Sequence, residues 1–353
     1  MVGDCVQSPQ LVYLLRQWQK KIFLSAAVKG VRLLARFLIK RLLLIIPVVI
    51  CVSFLVFALV EFAPGDIVDS MVSEFTTQED LAELRSLYDL DKPMLYRYGK
   101  YMINLARGDL GVSITSKTKV WDTYVQRLPN TLMLTFSGLI IGVAIAIPLG
   151  VFAARHSGRI SDNAATLVAV IGVSMPAFWL ALLLQQLFSY KLGLVPSGGM
   201  NDGIRSLILP AICSGLMLMA TATRQTRSSV LEVLKADYLR TARAKGVPED
   251  VVIKKHALGN AMIPIVTVVG SSLAYSLAGS VVIEQVFAWP GVGRMAVEAV
   301  AQRDTPTVLG TVIMTTILYV VIQILVDIAY TFVDPRIKSR YVSASKKKRK
   351  LTA

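Results

Sequence analysis

The chain has 353 residues, of which 54% are hydrophobic and only 17% charged, yet its formal net charge at pH 7 is +15. Soluble globular chains average about 25% charged residues, so this composition argues against a soluble enzyme of this length. The basic charge alone would also fit a nucleic-acid-binding protein, and the position of the charges along the chain separates the two classes.

Charge-free stretches divide the chain. Six of them lack Lys, Arg, Asp and Glu and are long enough to cross a bilayer, which takes roughly 17–25 mainly apolar residues. Prolines inside them do not argue against helices, because neighbouring helices and local adjustment tolerate proline in membranes. The alternative, core helices of a large soluble protein, leaves almost no amphipathic surface to cover them. The stretches, which define a membrane domain at 42–333, are 42–60, 128–154, 163–190, 206–223, 256–283 and 305–326.

The charged segments between these stretches predict the orientation in the membrane. If all six stretches span, the segments on one side carry 26 basic and 7 acidic residues, a net charge of +19. The other side sums to −3, and Asp327, in the last predicted span directly after the stretch 305–326, supplies −1. The positive-inside rule therefore predicts that both termini are cytoplasmic. The basic side comprises segments 1–41, 155–162, 224–255 and 334–353.

Both ends of the chain are basic. Segment 1–41 carries Arg32, Arg36 and Lys40 at helical spacing, which fits an amphipathic helix on the inner leaflet as well as a flexible extension. Charges interrupt this segment throughout, so it does not have the form of a cleavable signal peptide. The tail 334–353 ends in a lysine-rich run that fits attraction to anionic lipid, or simply a solvated tail. Neither end predicts a nucleic-acid-binding domain.

The largest segment on the less basic side is the loop 61–127. Thr76 and Glu79 have capping-box spacing ahead of a leucine-rich run, which predicts a helix there. A second helix is predicted at about 93–106, and the sequence Gly-Asp-Leu-Gly at 108–111 closes it. We therefore expect a small helical cap on the outer face, too small for an independent catalytic domain.

The segment 224–260 on the basic side is the most informative. Small side chains at 241, 242 and 244 alternate with cations, Gly246 suits a helix stop, and Pro248 suits the first turn of a new helix. A compact helical protrusion of this composition fits docking into a groove of a cytoplasmic protein. An ordinary cytoplasmic hairpin loop is the alternative.

The same segment resembles the coupling loop of ABC importer permeases, specifically those of the dipeptide/oligopeptide/nickel transport family. The resemblance rests on residues 237–246, on His256-Ala257-Leu258, and on Asn260-Ala261 with Pro264, and it extends in order over about residues 36–340. Further segments that fit the family are Gly108-Asp109-Leu110-Gly111, Arg127-Leu128-Pro129-Asn130-Thr131, Met175-Pro176-Ala177-Phe178-Trp179, Arg227-Ser228-Ser229, Pro290-Gly291, Arg303-Asp304 and Asp334-Pro335-Arg336.

The resemblance implies an all-α membrane protein with the six transmembrane helices of the type I ABC importer permease fold, a small helical external loop domain and a cytoplasmic coupling helix. It implies a bacterial or archaeal-type plasma membrane. The implied partners are a second permease subunit that is a related but different chain, two ATPase domains or subunits, an external solute-binding protein and membrane lipid. ATP and Mg²⁺ would bind the ATPase partners, and this chain would hold no cofactor. Peptides, nickel chelates and similar small solutes are the implied cargo.

The resemblance also assigns a coupling role to particular residues. In such importers the loop around Gly246 docks into a cleft of the ATPase subunit. Two positions depart from related patterns: Arg240-Thr241-Ala242 stands where general importers have Glu-Ala-Ala, and Gly259 stands where relatives commonly have Arg. The residues implied to couple to the ATPase are Asp237, Arg240, Thr241, Ala242, Arg243, Ala244, Lys245, Gly246 and His256.

The chain shows no motor or catalytic centre of its own. The phosphate-loop motif Gly-x-x-x-x-Gly-Lys-Ser/Thr does not occur, so ATP hydrolysis is expected in partners. An ion-coupled secondary transporter is the alternative, but such carriers usually show several intramembrane acids, and only Asp327 lies clearly within a predicted span. The 3 cysteines and 2 histidines lack the spacing of metal ligands. The sequence also lacks the paired carboxylates that would predict a membrane enzyme.

Two groups of residues are further candidates. Glu284, Trp289, Pro290 and Gly291 fit an outer gate or re-entrant turn, and equally a structural turn. The second group fits the translocation pathway or a contact between subunits, with helix packing or a local ion pair to Arg336 as the alternative. It comprises Met175, Pro176 and Asp327.

Overall fold

The computed structural model describes residues 39, 41–62, 82, 83, 85, 86 and 89–333. Within them the regular structure is helical, apart from one isolated antiparallel bridge between Val112 and Lys119. The helices are α1 (Arg41–Glu61), α2 (Met94–Ala106), α3 (Val120–Arg155), α4 (Ile160–Ser174), α5 (Ala177–Leu184), α6 (Ile204–Leu234), α7 (Asp237–Ala244), α8 (Leu258–Val286), α9 (Val292–Ala301) and α10 (Thr305–Val333).

Several predictions fall outside the described residues. These are the amphipathic helix within 1–38, the capping box at Thr76 and the basic tail 334–353. Contacts divide the chain into a large unit, residues 49–326, and a small unit formed by the two ends. The described part of the small unit is residues 39, 41–48 and 327–333.

Five helices among the described residues are long and apolar enough to cross a membrane. They coincide with the first, second, fourth, fifth and sixth charge-free stretches, which confirms the helical prediction for each. Mainly aliphatic side chains account for this, because a helix satisfies its own backbone polar groups in lipid. The candidate spans are Arg41–Glu61, Val120–Arg155, Ile204–Leu234, Leu258–Leu277 and Thr305–Ala329.

The third stretch, 163–190, differs from the prediction of one continuous helix. The 15-residue α4 ends at Ser174, and α5 begins only after Pro176. Met175 is extended, with ψ 130°. Pro176 explains the break, since a proline lacks the N–H of the helical ladder and disfavours helical geometry in the residue before it. A π-helical segment, Gln185–Lys191, continues directly from α5.

Small residues hold α3 against α6. A Cβ atom at Gly142 would lie 2.8 Å from the carbonyl oxygen of Gly215, and one at Gly138 would lie 2.5 Å from the hydroxyl of Ser214. Such close approach of backbones is typical of membrane helix pairs, in which small residues replace bulky side chains at the interface. This pair forms the centre of the large unit.

The chain enters α8 through a second π-helical segment, Val252–Ala257, which follows a short helical turn at Glu249–Val251. The predicted helix at 93–106, between α1 and α3 in the chain, is confirmed as α2.

The two candidate sites lie at the α6–α8 connection and at the α8–α9 connection.

Candidate coupling and outer-face sites

The α6–α8 connection is built around one buried leucine. Leu239, in the middle of α7, is fully buried against Val252 and Ala257 of the π-helical segment, and Val233 of α6 packs against the same cluster. The amphipathic pattern of α7 therefore directs Leu239 inward. The opposite face of α7 is left exposed.

Gly246 makes the turn that ends α7. Its φ is +75°, a left-handed conformation that L-residues with side chains rarely adopt. The Gly246 N–H donates to the Arg243 carbonyl at 2.9 Å, and the Val247 N–H donates to the Ala242 carbonyl at 3.3 Å. These bonds satisfy carbonyls at the helix end in the manner of a glycine C-cap. A Cβ atom at Gly246 would meet nothing within 4 Å. The position therefore favours glycine because of its backbone conformation and not because of a lack of space.

Ion pairs fasten the connection. The Arg243 guanidinium donates to both carboxylate oxygens of Glu249, at 3.0 and 2.8 Å. This hydrogen bonding lowers the pKa of Glu249 below its usual value, against a smaller opposing effect of burial. Arg155 at the end of α3 pairs with Asp250 at 2.7 Å. The connection is thus tied both to itself and to α3.

The structure brings the predicted coupling residues together but divides them into two groups. Ala242 is partly buried and packs against the Leu239 cluster, so its side chain belongs to the interior of the connection. His256 lies in the π-helical segment, directly before α8. The residues on the exposed surface are Asp237, Arg240, Thr241, Arg243, Ala244, Lys245 and Gly246.

The second site centres on the buried carboxylate of Glu284 near the end of α8. The Thr131 hydroxyl of α3 donates to this carboxylate at 2.7 Å, and the Arg294 N–H at the start of α9 donates at 2.9 Å. The Thr131 hydroxyl in turn accepts the Val292 N–H at 2.8 Å. One carboxylate therefore joins three helices, α3, α8 and α9.

The turn between α8 and α9 closes over this carboxylate. The Trp289 indole N–H donates to the Asn130 carbonyl at 3.0 Å, and the Asn130 amide donates to the Pro290 carbonyl at 2.9 Å. Trp289 is fully buried, and Gly291 leaves room for the Glu284 carboxylate. The four residues predicted at an outer gate thus meet in one buried turn.

The remaining predicted residues belong to neither site. Met175 and Pro176 form the break between α4 and α5. Asp327, near the end of α10, forms an ion pair with Arg41 at the start of α1, within the small unit. The expected partner of Asp327, Arg336, lies outside the described residues.

Two buried carboxylates escaped the sequence analysis as sites. Asp162, at the start of α4, accepts two hydrogen bonds from the Arg227 guanidinium of α6, at 2.6 and 2.7 Å, and one from the Gly158 N–H. Asp304 caps α10 and accepts hydrogen bonds from Ile114 N–H at 3.1 Å and the Thr307 hydroxyl at 2.8 Å. The arginine paired with Asp162 is 65 residues away, so no local pattern signals the contact. Among the described residues, no group of three or more His, Cys, Asp or Glu side chains is arranged to hold a metal ion.

Relatives of known function align with most of the chain. It is 38% identical over 315 residues to the oligopeptide transport system permease protein AppB of Bacillus subtilis (strain 168), which covers 86% of this chain and 100% of that protein. It is 38% identical over 336 residues to the dipeptide transport system permease protein DppB of Escherichia coli (strain K12), covering 86% of this chain and 99% of that protein. The glutathione transport system permease protein GsiC of the same strain is 38% identical over 302 residues, covering 86% and 98%.

Solved structures share the fold. Two crystal forms of the methionine ABC transporter MetNI, in inward-facing conformations, match with TM-scores of 0.52 and 0.53. Each match covers 60% of this chain and 96% of the MetNI chain, at 20% and 19% sequence identity.

Two family descriptions cover most of the sequence. Residues 146–339 match the binding-protein-dependent transport system inner membrane component, and residues 34–135 match the N-terminal part of such membrane components. Together with the relatives, these matches decide against the ion-coupled carrier. The chain belongs to the binding-protein-dependent transport system inner membrane component family, the multi-pass inner-membrane permeases of bacterial ABC importers, in which ATP is bound by partner ATPase subunits.

Proposed function

We propose that this permease carries di- or oligopeptides, or a peptide-like solute such as glutathione, and forms half of the translocation pathway. The proposal rests on the cargo named for three relatives of equal identity, an oligopeptide, a dipeptide and a glutathione system. A second, related but different permease would supply the other half of the pathway. An external solute-binding protein would deliver the cargo, and two ATPase subunits would drive the cycle.

The proposed topology has six spans with both termini in the cytoplasm. Five spans are the long apolar helices, and α4 with α5 and its π-helical continuation would supply the third in chain order. The break at Met175 and Pro176 supports this, because discontinuous helices in membranes lie inside the protein or along a cavity. The net charge of +19 on the proposed cytoplasmic side follows the positive-inside rule.

A row of exposed polar side chains on α8 supports a translocation pathway whose lining on this chain carries no charge. Thr267, Ser271 and Tyr275 recur four residues apart and are exposed on the isolated subunit. The hydroxyls of Thr267 and Ser271 bond to carbonyls one turn earlier, at 2.9 and 3.0 Å. Such a surface suits peptides of varied charge, because it offers weak polar contacts without a fixed ion pair.

The exposed face of α7 is proposed to dock on the ATPase subunit. The observation that carries this is the rigid mounting of a small, cationic surface on Leu239, the Gly246 turn and the Arg243–Glu249 pair. A movement of the docked ATPase would thereby reach α6 and α8 together. Asp237, Arg240, Thr241, Ala244 and Lys245 are the proposed contact residues.

The test uses the complete importer in proteoliposomes, with its binding protein outside and ATP inside. Ala244→Trp should abolish uptake of a labelled tripeptide and the stimulation of ATP hydrolysis by the loaded binding protein, because the indole would block docking. Ser157→Trp, exposed in the turn between α3 and α4, is the matched control and should import normally. Normal uptake by Ala244→Trp would refute the coupling role. Failure of the wild-type importer to take up dipeptides, tripeptides or glutathione would refute the cargo.

A further inference from the structure

The helix α2 contacts α1 well below the outer end of α1. The Tyr98 hydroxyl donates to the Ile50 carbonyl at 3.1 Å and lies 3.0 Å from the Ser53 hydroxyl. The Ser53 hydroxyl also lies 3.7 Å from the Met102 sulfur. Ser53 is two helical turns before Glu61, which places it about 12 Å inward along α1 at 1.5 Å per residue. A cap standing in water above the membrane would not reach this depth.

The neighbouring side chain reaches in the opposite direction. Arg97 pairs with Glu61 at the outer end of α1, and its guanidinium passes 5.9 Å from the centre of the Phe57 ring. Tyr98 packs edge-on against the same ring, with ring centres 5.6 Å apart. The helix therefore crosses α1 near Phe57, one turn or about 6 Å inside Glu61. Arg97 extends outward to Glu61 while Tyr98 extends inward to Ile50, as amphipathic side chains do at a membrane boundary.

The side of α2 that faces away from α1 is apolar and exposed. Leu95, Tyr96 and Ile103 are 69%, 56% and 57% exposed. Over the same length of α1, Leu55 and Leu59 are also exposed, 61% and 72%. Amphipathic helices that lie in the membrane boundary bury their apolar face about 5–10 Å below the headgroups, the depth at which α2 crosses α1.

We propose that α2 lies in the outer leaflet as an interfacial helix, and that Leu95, Tyr96 and Ile103 contact lipid acyl chains. Lys100, exposed on the same side and paired with Asp89, would place its ammonium group among the lipid headgroups. The occupant is lipid because α2 crosses a candidate spanning helix at acyl-chain depth, and that helix itself exposes apolar side chains over the same length. The proposal refines the expectation of a helical cap on the outer face by placing this part of the 61–127 loop in the outer leaflet.

The test measures collisions of spin labels with oxygen, which concentrates in the bilayer, and with a water-soluble nickel chelate. Single cysteines replace Leu95 or Ile103 in a chain whose Cys5, Cys51 and Cys213 are changed to serine or alanine, assembled in the complete importer in liposomes. Leu55→Cys is the lipid reference, and Ser116→Cys, exposed in the 108–119 segment, is the water reference.

Labels at 95 and 103 should show the high oxygen and low chelate collision rates of the label at 55, and the reverse of the label at 116. Chelate collision rates at 95 and 103 equal to those at 116 would overturn the proposal in favour of a cap in water. Low collision rates with both reagents would overturn it in favour of a protein-covered surface, such as a contact with the partner permease or the binding protein. Retained peptide uptake shows that the labelled importer is folded.

Discussion

The carboxylate of Glu284 occupies the space that a side chain at Gly291 would need. A Cβ atom built on Gly291 would lie 2.3 Å from the carboxylate carbon of Glu284 and 2.4 Å from one of its oxygens. Because φ at Gly291 is −100°, an ordinary value, the glycine serves the fit of the carboxylate and not an unusual backbone conformation.

This relationship predicts that Gly291→Ala destabilises the subunit by about 1–3 kcal/mol, the usual cost of overpacking a filled interior. Gly259→Ala is the matched control, since nothing lies within 4 Å of a Cβ atom at that position in α8. Thermal unfolding in detergent should show a clearly lower midpoint for Gly291→Ala and no loss for Gly259→Ala. Equal midpoints would contradict the arrangement of the α8–α9 turn.

Glu284→Gln should cost about 1–3 kcal/mol, because an amide NH₂ group would replace one of the two acceptor oxygens in a buried network of donors. Uptake measured at a temperature where the variant stays folded separates the two interpretations of this turn. A structural turn predicts that uptake recovers with the fold. Loss of uptake in a folded Glu284→Gln importer would instead favour an outer gate.

The Asp162–Arg227 pair should contribute more to stability than an exposed pair. Asp162 is buried and receives two charged hydrogen bonds, and bonds to charged groups are worth about 1.5–3 kcal/mol each before solvent exposure of the arginine reduces them. We expect Asp162→Asn to lower the unfolding midpoint, and Arg227→Lys to lower it as well because lysine cannot form the bidentate contact. Asp91→Asn, which removes an exposed pair with Lys92, should leave the midpoint unchanged.

Gly246→Val should disturb the coupling loop through its backbone, since a left-handed conformation costs an L-residue about 1–2 kcal/mol. Gly246→Asn should be tolerated better, because asparagine enters this conformation more readily. Co-purification of the ATPase subunit with the permease measures the effect: we expect strong loss with valine and partial retention with asparagine. Equal loss with both would point to a direct contact at this position.

Acid pH should loosen the α7 connection through Glu249. The pKa of Glu249 is lower in the folded chain than in the unfolded chain, so its contribution is complete above the unfolded-state pKa and is lost as pH falls through the folded-state pKa. Amide exchange in residues 243–251, corrected for intrinsic rates, should be constant between neutral pH and about pH 5 and should rise below about pH 4. Glu249→Gln should show no such step, and a step between pH 6 and 8 would contradict this cause.

The sequence predicts the helices better than it predicts the contacts between them. Length and absence of charge suffice to locate five spanning helices, because each needs only apolar side chains and its own backbone hydrogen bonds. The sequence alone does not predict that the helix breaks at Pro176. Pro129, Pro148, Pro210 and Pro264 remain inside continuous helices, so the surroundings of each proline decide whether the helix breaks.

The candidate sites show the same limit. Gly246 and the α7 helix follow from local turn chemistry, and the sequence predicts both. The roles of Asp162 and Asp304 depend on partners 65 and about 190 residues away. Likewise, the family resemblance groups Ala242 with the docking residues, whereas its packing against the Leu239 cluster depends on contacts that only the folded chain makes.

The π-helical segment Val252–Ala257 has a consequence for how this chain tolerates changes in length. A π turn holds one residue more than an α turn, so it can absorb a single-residue deletion by reverting to an α-helix. The same deletion in the middle of α8 would rotate every later side chain by about 100° and turn Glu284 away from Thr131. Insertions and deletions between this permease and its relatives are therefore expected to concentrate between the coupling loop and α8. A change of one residue there would leave the α8 side chains facing the same neighbours.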